Sequence, residues 1–281
     1  MRKLLYIISV ALILGLAAGC DRKGAQLDRT FERADALMTD HPDSALAIMQ
    51  AVDTAGLSRG RLARYALLLT KALNKSYKEP MNDTLIKIAV DYYCGRGNDR
   101  EMESLYFYGI VLANKDSFKV ALPYVSIAYD MAKDRQDWLY MGLSGRLLSG
   151  LYKFLYDFKD QKKYAVLSKE AFLRYEKESG IENLYSAFMD YMIAESMLNN
   201  GECKQSLQVC NNVDSAAMER EEDFRHLLWI TKAHAYNALS QPERGILLYD
   251  TLRSDGYVME GYNWARLAQY HLAAGNIISA Q

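Results

Sequence analysis

From Ser104 to Leu112, apolar or small residues recur at Leu105, Tyr108, Gly109 and Leu112, the i, i+3, i+4, i+7 spacing of one helix face. After the polar segment Asn114-Lys115-Asp116-Ser117, a second stripe runs through Phe118, Ala121, Leu122, Val125, Ala128, Tyr129 and Ala132. Two short amphipathic helices joined by about four residues fold back antiparallel. The small residues Gly109, Ala121 and Ala128 mark where their axes approach. Neither helix hides its stripe alone, so the pattern demands neighbours. It recurs downstream. Ala194 takes the place of Gly109, with Gly201 at the turn and Ser206-Leu207 where Ala121-Leu122 stood. Ala233 does so again, followed by Tyr236 and Gly245-Ile246, and Ala268, Gly275 and Ala280 open a further copy. A small-residue offset returning about every 35 to 44 residues predicts a solenoid.

The other segments fit the same plan. A first helix runs to about Thr39, and His41-Pro42-Asp43-Ser44 turns into a second carrying Ala45, Ile48, Met49 and Val52, with Pro42 suited to a first helical turn. The next hairpin has the stripe Leu62, Tyr65, Ala66, Leu69 and Leu73, stops before Pro80, and restarts at the capping pair Asn82-Asp83 ahead of Leu85, Ile88, Ala89 and Tyr92. The fourth, from about Trp138 to Ser179, places Gly150 in its first helix but Lys162 at the expected small position. That mismatch predicts a short insertion near Tyr156 to Gln161. The fifth runs from about Ile181 to Ala217 and the sixth from about Glu222 to Asp255. A seventh starts near Glu260 and runs out inside its second helix, which predicts an exposed apolar patch around Trp264, Leu267 and Leu272 and self-association through the C-terminal end.

In order and spacing, Gly109, Phe118, Ala121 and Ala128 resemble the tetratricopeptide repeat: a small residue in helix A, an aromatic after the turn and two alanines in helix B. The resemblance implies an all-α, right-handed solenoid of antiparallel helix hairpins, about six to seven of them, over residues 27–281. The run from Arg61 to Ala72, with Asp43-Ser44-Ala45-Leu46 before it and Asp83-Thr84-Leu85-Ile86 and Tyr92-Tyr93 beyond, is similar to the N-terminal part of tetratricopeptide-repeat lipoproteins and sensors of Bacteroidota. Carrying the repeat register over puts the first helices along a groove. The groove residues would be Arg64, Lys71, Asn74 and Lys75 in the second hairpin, Tyr106 and Asn114 in the third, Tyr191, Glu195 and Asn199 in the fifth, and His234 and Asn237 in the sixth. Such a mixture of aromatic, amide and charge suits an extended peptide or a protein partner.

Residues 1–19 read as a signal peptide. Arg2-Lys3 form the positive start, Leu4 to Leu16 an apolar run too short to span a bilayer comfortably, and Ala17-Ala18-Gly19 the small residues of a cleavage site. Cys20 follows, so this ending resembles a bacterial lipobox, with Ala17 where that pattern more often has Leu. The resemblance implies lipidation at Cys20, a short lipidated tether over residues 20–26, and anchoring to the inner or outer membrane of the cell envelope, facing the periplasm. The alternative is simple secretion.

Half the residues are hydrophobic, and there are only 4 Pro and 17 Gly, which marks an ordered chain. The net charge of −1, becoming about −3 once Arg2 and Lys3 leave with the leader, argues against nucleic-acid binding. Beyond Cys20, the odd set Cys94, Cys203 and Cys210 gives no disulfide framework and reads as small buried hydrophobes. The histidines His41, His226, His234 and His271 lack metal-ligand spacing, and no phosphate loop, nucleophile elbow or His-Glu-x-x-His helix occurs. Neither a metal nor another cofactor is expected. The sequence thus points to a non-catalytic, membrane-anchored scaffold or receptor for an envelope protein or peptide. Glycan or small-ligand binding in nutrient uptake is the alternative; an exposed cluster of aromatic platforms would favour it.

Overall fold

A computed structural model describes residues 24–78, 82–181, 185–213 and 215–276. The described residues form helices and turns with no strand, as the periodicity required. The chain divides into two compact units, Met1–Asp116 and Ser117–Gln281. The hairpin around Asn114 to Ser117 contributes one helix to each.

The first unit holds α1 (24–36), α2 (Pro42–Gln50), α3 (Arg59–Lys75), α4 (Thr84–Tyr93) and α5 (Asp99–Ala113). Residues 24–26, expected in the tether, are already helical; the signal peptide and Cys20 lie outside the described residues. Phe31, Ala34 and Met38 of the first hairpin pack with Ala45, Leu46 and Met49 and against Leu68 and Ala72 of α3. Burying side chains of this size is worth about 1.5–3 kcal/mol each, which is what a lone hairpin lacks. The α4–α5 connection is fixed by one carboxylate. Glu101 accepts the amide protons of Gly95 and Gly97, both at 2.6 Å, while Asn98 caps α5 through the Glu101 amide at 3.0 Å.

The second unit holds α6 (Phe118–Arg135), α7 (Trp138–Phe154), α8 (Phe158–Ser179), α9 (Tyr185–Asn199), α10 (Cys203–Asn211), α11 (Ser215–Arg220), α12 (Glu222–Ala238), α13 (Pro242–Ser254) and α14 (Gly261–Ala273). The sequence pattern did not predict the single-turn helix α11. The close-packing point of the fourth, fifth and sixth hairpins lies between residues twelve apart. The Ser206 hydroxyl donates to the Ala194 carbonyl at 2.7 Å, and a methyl group at Gly245 would sit 3.1 Å from the Ala233 carbonyl. In the fourth hairpin the Ser149 hydroxyl donates to the Gln161 carbonyl at 2.9 Å, with Ser168 buried further along α8. That hairpin therefore keeps the repeat register with no insertion. Ser149, one residue before Gly150, is its small residue, and Gly142 and Gly145 complete the contact with α8.

From the second hairpin onward, the turns between first and second helices share one backbone solution. Tyr77, Asp116, Tyr156, Gly201, Ser240 and Gly275 all have positive φ. At five of them the following amide reaches back to a carbonyl five residues earlier, as in Lys78 to Leu73 (2.9 Å), Asp157 to Tyr152 (2.9 Å) and Gln241 to Tyr236 (2.9 Å). This pattern ties off the last helical carbonyls and reverses the chain in very few residues.

At the far end, Ala233, Tyr249, Leu252, Leu267 and Tyr270 form one cluster. The expected exposed patch is therefore smaller than the sequence implied: Trp264 and Leu272 are 48% and 56% exposed, but Leu267 is at 5% because α14 turns it onto α13. Ala280 lies outside the described residues.

Candidate binding surface on the first helices

The first helices of successive hairpins lie side by side within each unit, and polar side chains join them. In the first unit, Lys71 of α3 bridges Asp35 of α1 at 3.0 Å and Glu103 of α5 at 3.3 Å. Burial acts to lower the Lys71 pKa, but the carboxylates of Glu103 and Asp35 outweigh it and hold the ammonium above its usual range. Arg61 pairs with Asp28 at 2.8 Å, and Arg64 approaches the same carboxylate at 3.9 Å while lying over the Phe31 ring. Asn74 and Lys75, one turn beyond Lys71, are half-buried, and Asn114 stands exposed at the end of α5.

In the second unit, Glu195 of α9 collects three donors. Lys153 of α7 approaches at 2.7 Å, the Tyr191 hydroxyl at 2.8 Å and the Gln161 amide at 3.2 Å. Burial raises the Tyr191 pKa, and the neighbouring Glu195 charge adds to it, so the phenol remains a proton donor. On α12 the half-buried His234 contacts the Tyr249 hydroxyl at 3.2 Å. That hydroxyl donates to Asn263 at 3.4 Å, and the Asn263 amide donates to the Tyr257 hydroxyl at 2.9 Å. Burial, with a smaller contribution from Arg266, lowers the His234 pKa to about 4, so its ring is neutral at pH 7. Asn237 is half-buried one turn on, and Asn199 is exposed at the end of α9.

Two expected groove residues thus sit inside. Tyr106 is 4% and Tyr191 8% exposed. Large rings on a helix flanked by both its own partner and the neighbouring first helix are drawn into the contact between them. The sequence reading did not include Lys153 and Gln161, which complete the Glu195 cluster, nor Asp28, Asp35 and Glu103, which neutralise the basic residues of α3. The i, i+7 repeat of Asp28 and Asp35 was a signal in plain view.

Cys210 is buried, which pushes its thiol up to about 12, whereas Cys203 is half-buried and Cys94 exposed. Cys94 thus departs from the buried-hydrophobe reading because it closes α4 at a solvent-facing turn. His226 is buried against Asp255 at 2.9 Å, where Arg225 also binds. Among the described residues, no group of three or more His, Cys, Asp or Glu side chains is arranged to hold a metal ion, and no helix is long and apolar enough to cross a membrane. All three tryptophans carry an arginine over the ring: Arg174 on Trp138, Arg225 on Trp229 and Arg253 on Trp264.

No family model matches the chain, and no curated protein matches it in sequence. Among solved structures, it is similar to a Rap protein complexed with competence and sporulation factor, with a TM-score of 0.66 at 12% identity, covering 91% of this chain and 74% of that one. At that identity the likeness is one of fold. The protein is an all-α, tetratricopeptide-like helical repeat.

Proposed function

We propose that this protein is a non-catalytic scaffold or receptor of the bacterial cell envelope that binds an extended peptide or a protein partner on its first-helix surface and is held to the membrane through a lipid on Cys20. The observation that carries the binding part is that within each unit neighbouring first helices are joined by a pre-formed polar cluster, at Lys71 in the first and at Glu195 in the second. Side chains fixed in this way lose little entropy when a partner arrives. The similar Rap protein was solved with a bound factor, in keeping with this use of the fold. The arginines over the tryptophans occupy faces that a sugar ring would need, which weighs against glycan binding.

Crosslinking in cells with the tagged full-length protein, followed by mass spectrometry, tests the proposal. Crosslinks from an envelope protein to the first helices of a unit, α7 and α9 or α3 and α5, are expected; their absence, with small ligands alone shifting thermal stability, overturns the scaffold reading. Cys20→Ser should move the protein from the membrane fraction to the soluble fraction. A variant that stays membrane-bound refutes lipid anchoring.

A further inference from the structure

The turn that joins α7 to α8 gathers aromatic rings where the fold does not bury them. The Phe154 ring stacks on Phe118 of α6, with centroids 4.5 Å apart and planes within 4°, yet Phe154 stays 56% exposed. Tyr156 is 81% exposed, with Phe158 edge-on to it at 6.2 Å. Large rings left in water side by side mark a contact surface. The turn itself does not ask for tyrosine. Tyr156 has φ 60°, and the next hairpin fills the same place with Gly201 at φ 81°. Glycine adopts that conformation freely, whereas other residues are disfavoured there by about 1–2 kcal/mol. The ring that protrudes from this tip is therefore present for its side chain and not for the turn. Lysines flank the rings. Lys119, beside Phe118, and Lys159, beside Phe158, are exposed and form no ion pair with a described residue. The neighbouring acids are engaged: Asp157 accepts the Asp160 amide at 3.1 Å, and Asp160 approaches Lys163 at 3.8 Å. Three lysines against two aspartates leave the tip positive on a chain whose net charge is −1.

We infer that this hairpin tip docks on the lipid bilayer, with Phe154 and Tyr156 in the interfacial layer and Lys119 and Lys159 at the phosphates of anionic lipids. The inference rests on the lipid anchoring proposed above. Only residues 21–23 separate Cys20 from α1, at most about 15 Å of extended chain, so the anchored protein stays beside the membrane surface. Rings with an apolar body and a polar hydroxyl, and lysines whose stems follow apolar surface while the ammonium reaches the headgroups, are the side chains this layer favours. A protruding tip suits a deformable surface, whereas a folded protein partner would need a matching cleft. A second contact also sets which side of the anchored protein faces away from the membrane, which a lipid on a short tether does not do alone.

The test uses the full-length protein, purified from cells and reconstituted in vesicles of phosphatidylethanolamine and phosphatidylglycerol whose acyl chains are brominated near the headgroup. Tyr156→Trp puts a reporter at the tip. Val258→Trp puts one at a site that is 83% exposed, in the connection from α13 to α14, which joins the helices at their opposite end. Emission of the three native tryptophans is subtracted from both. The Tyr156→Trp signal is expected to shift to the blue and to be quenched by bromine, and the Val258→Trp signal to remain that of a ring in water. Adding Lys119→Glu and Lys159→Glu should shift the balance from docked toward undocked protein by at least about twentyfold, from about fivefold per lysine at an anionic surface. Unquenched Tyr156→Trp emission from a protein that still floats with the vesicles, or equal quenching at both positions, overturns the tip contact and leaves the anchor standing; crosslinks from the tip to a second copy or to another protein would then name what covers it. Docking unchanged by the two lysine reversals overturns the role of the anionic headgroups. A protein that does not float with the vesicles overturns the tip contact and the lipid anchor together.

Discussion

Gly142 and Gly150 lie two turns apart on α7, and the same substitution at each should act with opposite sign. At Gly142 a methyl would lie 2.5 Å from one carbon of the Phe172 ring and 2.6 Å from the next. Phe172 is fully buried, packed among Met189 and Ala194 of α9, so the ring has no solvent to move into. Forcing a methyl into such a contact costs about 1–3 kcal/mol, against which alanine returns about 0.5–1 kcal/mol of helix propensity. Gly142→Ala should therefore destabilise by roughly 0.5–2 kcal/mol. At Gly150 no contact opposes the propensity gain, and Gly150→Ala should stabilise by about 0.5–1 kcal/mol. The gap between the two variants, about 1–3 kcal/mol, is the cleaner quantity, because the denatured-state term is common to both. Urea unfolding followed by far-ultraviolet circular dichroism reads it as a difference in midpoint at unchanged slope. Equal midpoints, or a Gly142→Ala protein more stable than the wild type, would refute the packing argument for α7 against α8 and α9.

The Glu195 cluster predicts unequal costs for its members: Glu195→Ala strands the buried Tyr191 hydroxyl together with Lys153 and Gln161 and should cost about 2–4 kcal/mol, whereas Tyr191→Phe removes one donor and should cost about 1 kcal/mol. Similar losses in chemical denaturation would show that Glu195 does not organise the cluster. His234 gives a pH dependence. Its folded pKa of about 4 lies below the unfolded value of 6.5, so the unfolded chain binds the extra proton and stability falls as pH drops from about 6.5 toward 4. The full loss should be about 3–3.5 kcal/mol, and His234→Gln should flatten the curve over that window; a variant with the wild-type pH profile would place the ring in solvent. The remaining prediction concerns release of the protein from the membrane by Cys20→Ser.

The helices themselves were legible in the sequence because a 3.6-residue stripe is a local property. The stripes Leu105, Tyr108, Leu112 and Ala121, Val125, Ala128 each announce a buried face, and the twelve-residue spacing of Ala194 to Ser206 and Ala233 to Gly245 gave the hairpin register. The fourth hairpin obeys the same spacing through Ser149 and Gln161. The pattern is masked there because serine meets the requirement with a hydrogen bond to the facing backbone, while the neighbouring Gly150 faces open space. The turns were hidden for a related reason. Tyr77, Asp116, Tyr156 and Ser240 adopt the left-handed conformation usually marked by glycine, because the amide-to-carbonyl bonds that close the turn are made by backbone and leave no trace in side-chain type.

The binding surface depended on tertiary structure most of all. Spacing along one helix placed Tyr191 and Glu195 on a common face, one turn apart. It did not reveal that α7 would bring Lys153 to that face, or that the tyrosine ring would be covered. A stripe records that something lies against a helix. Which neighbour lies there, and which charges it neutralises, is fixed only when hairpins distant in sequence stack, since that choice depends on shape and charge that neither helix carries alone.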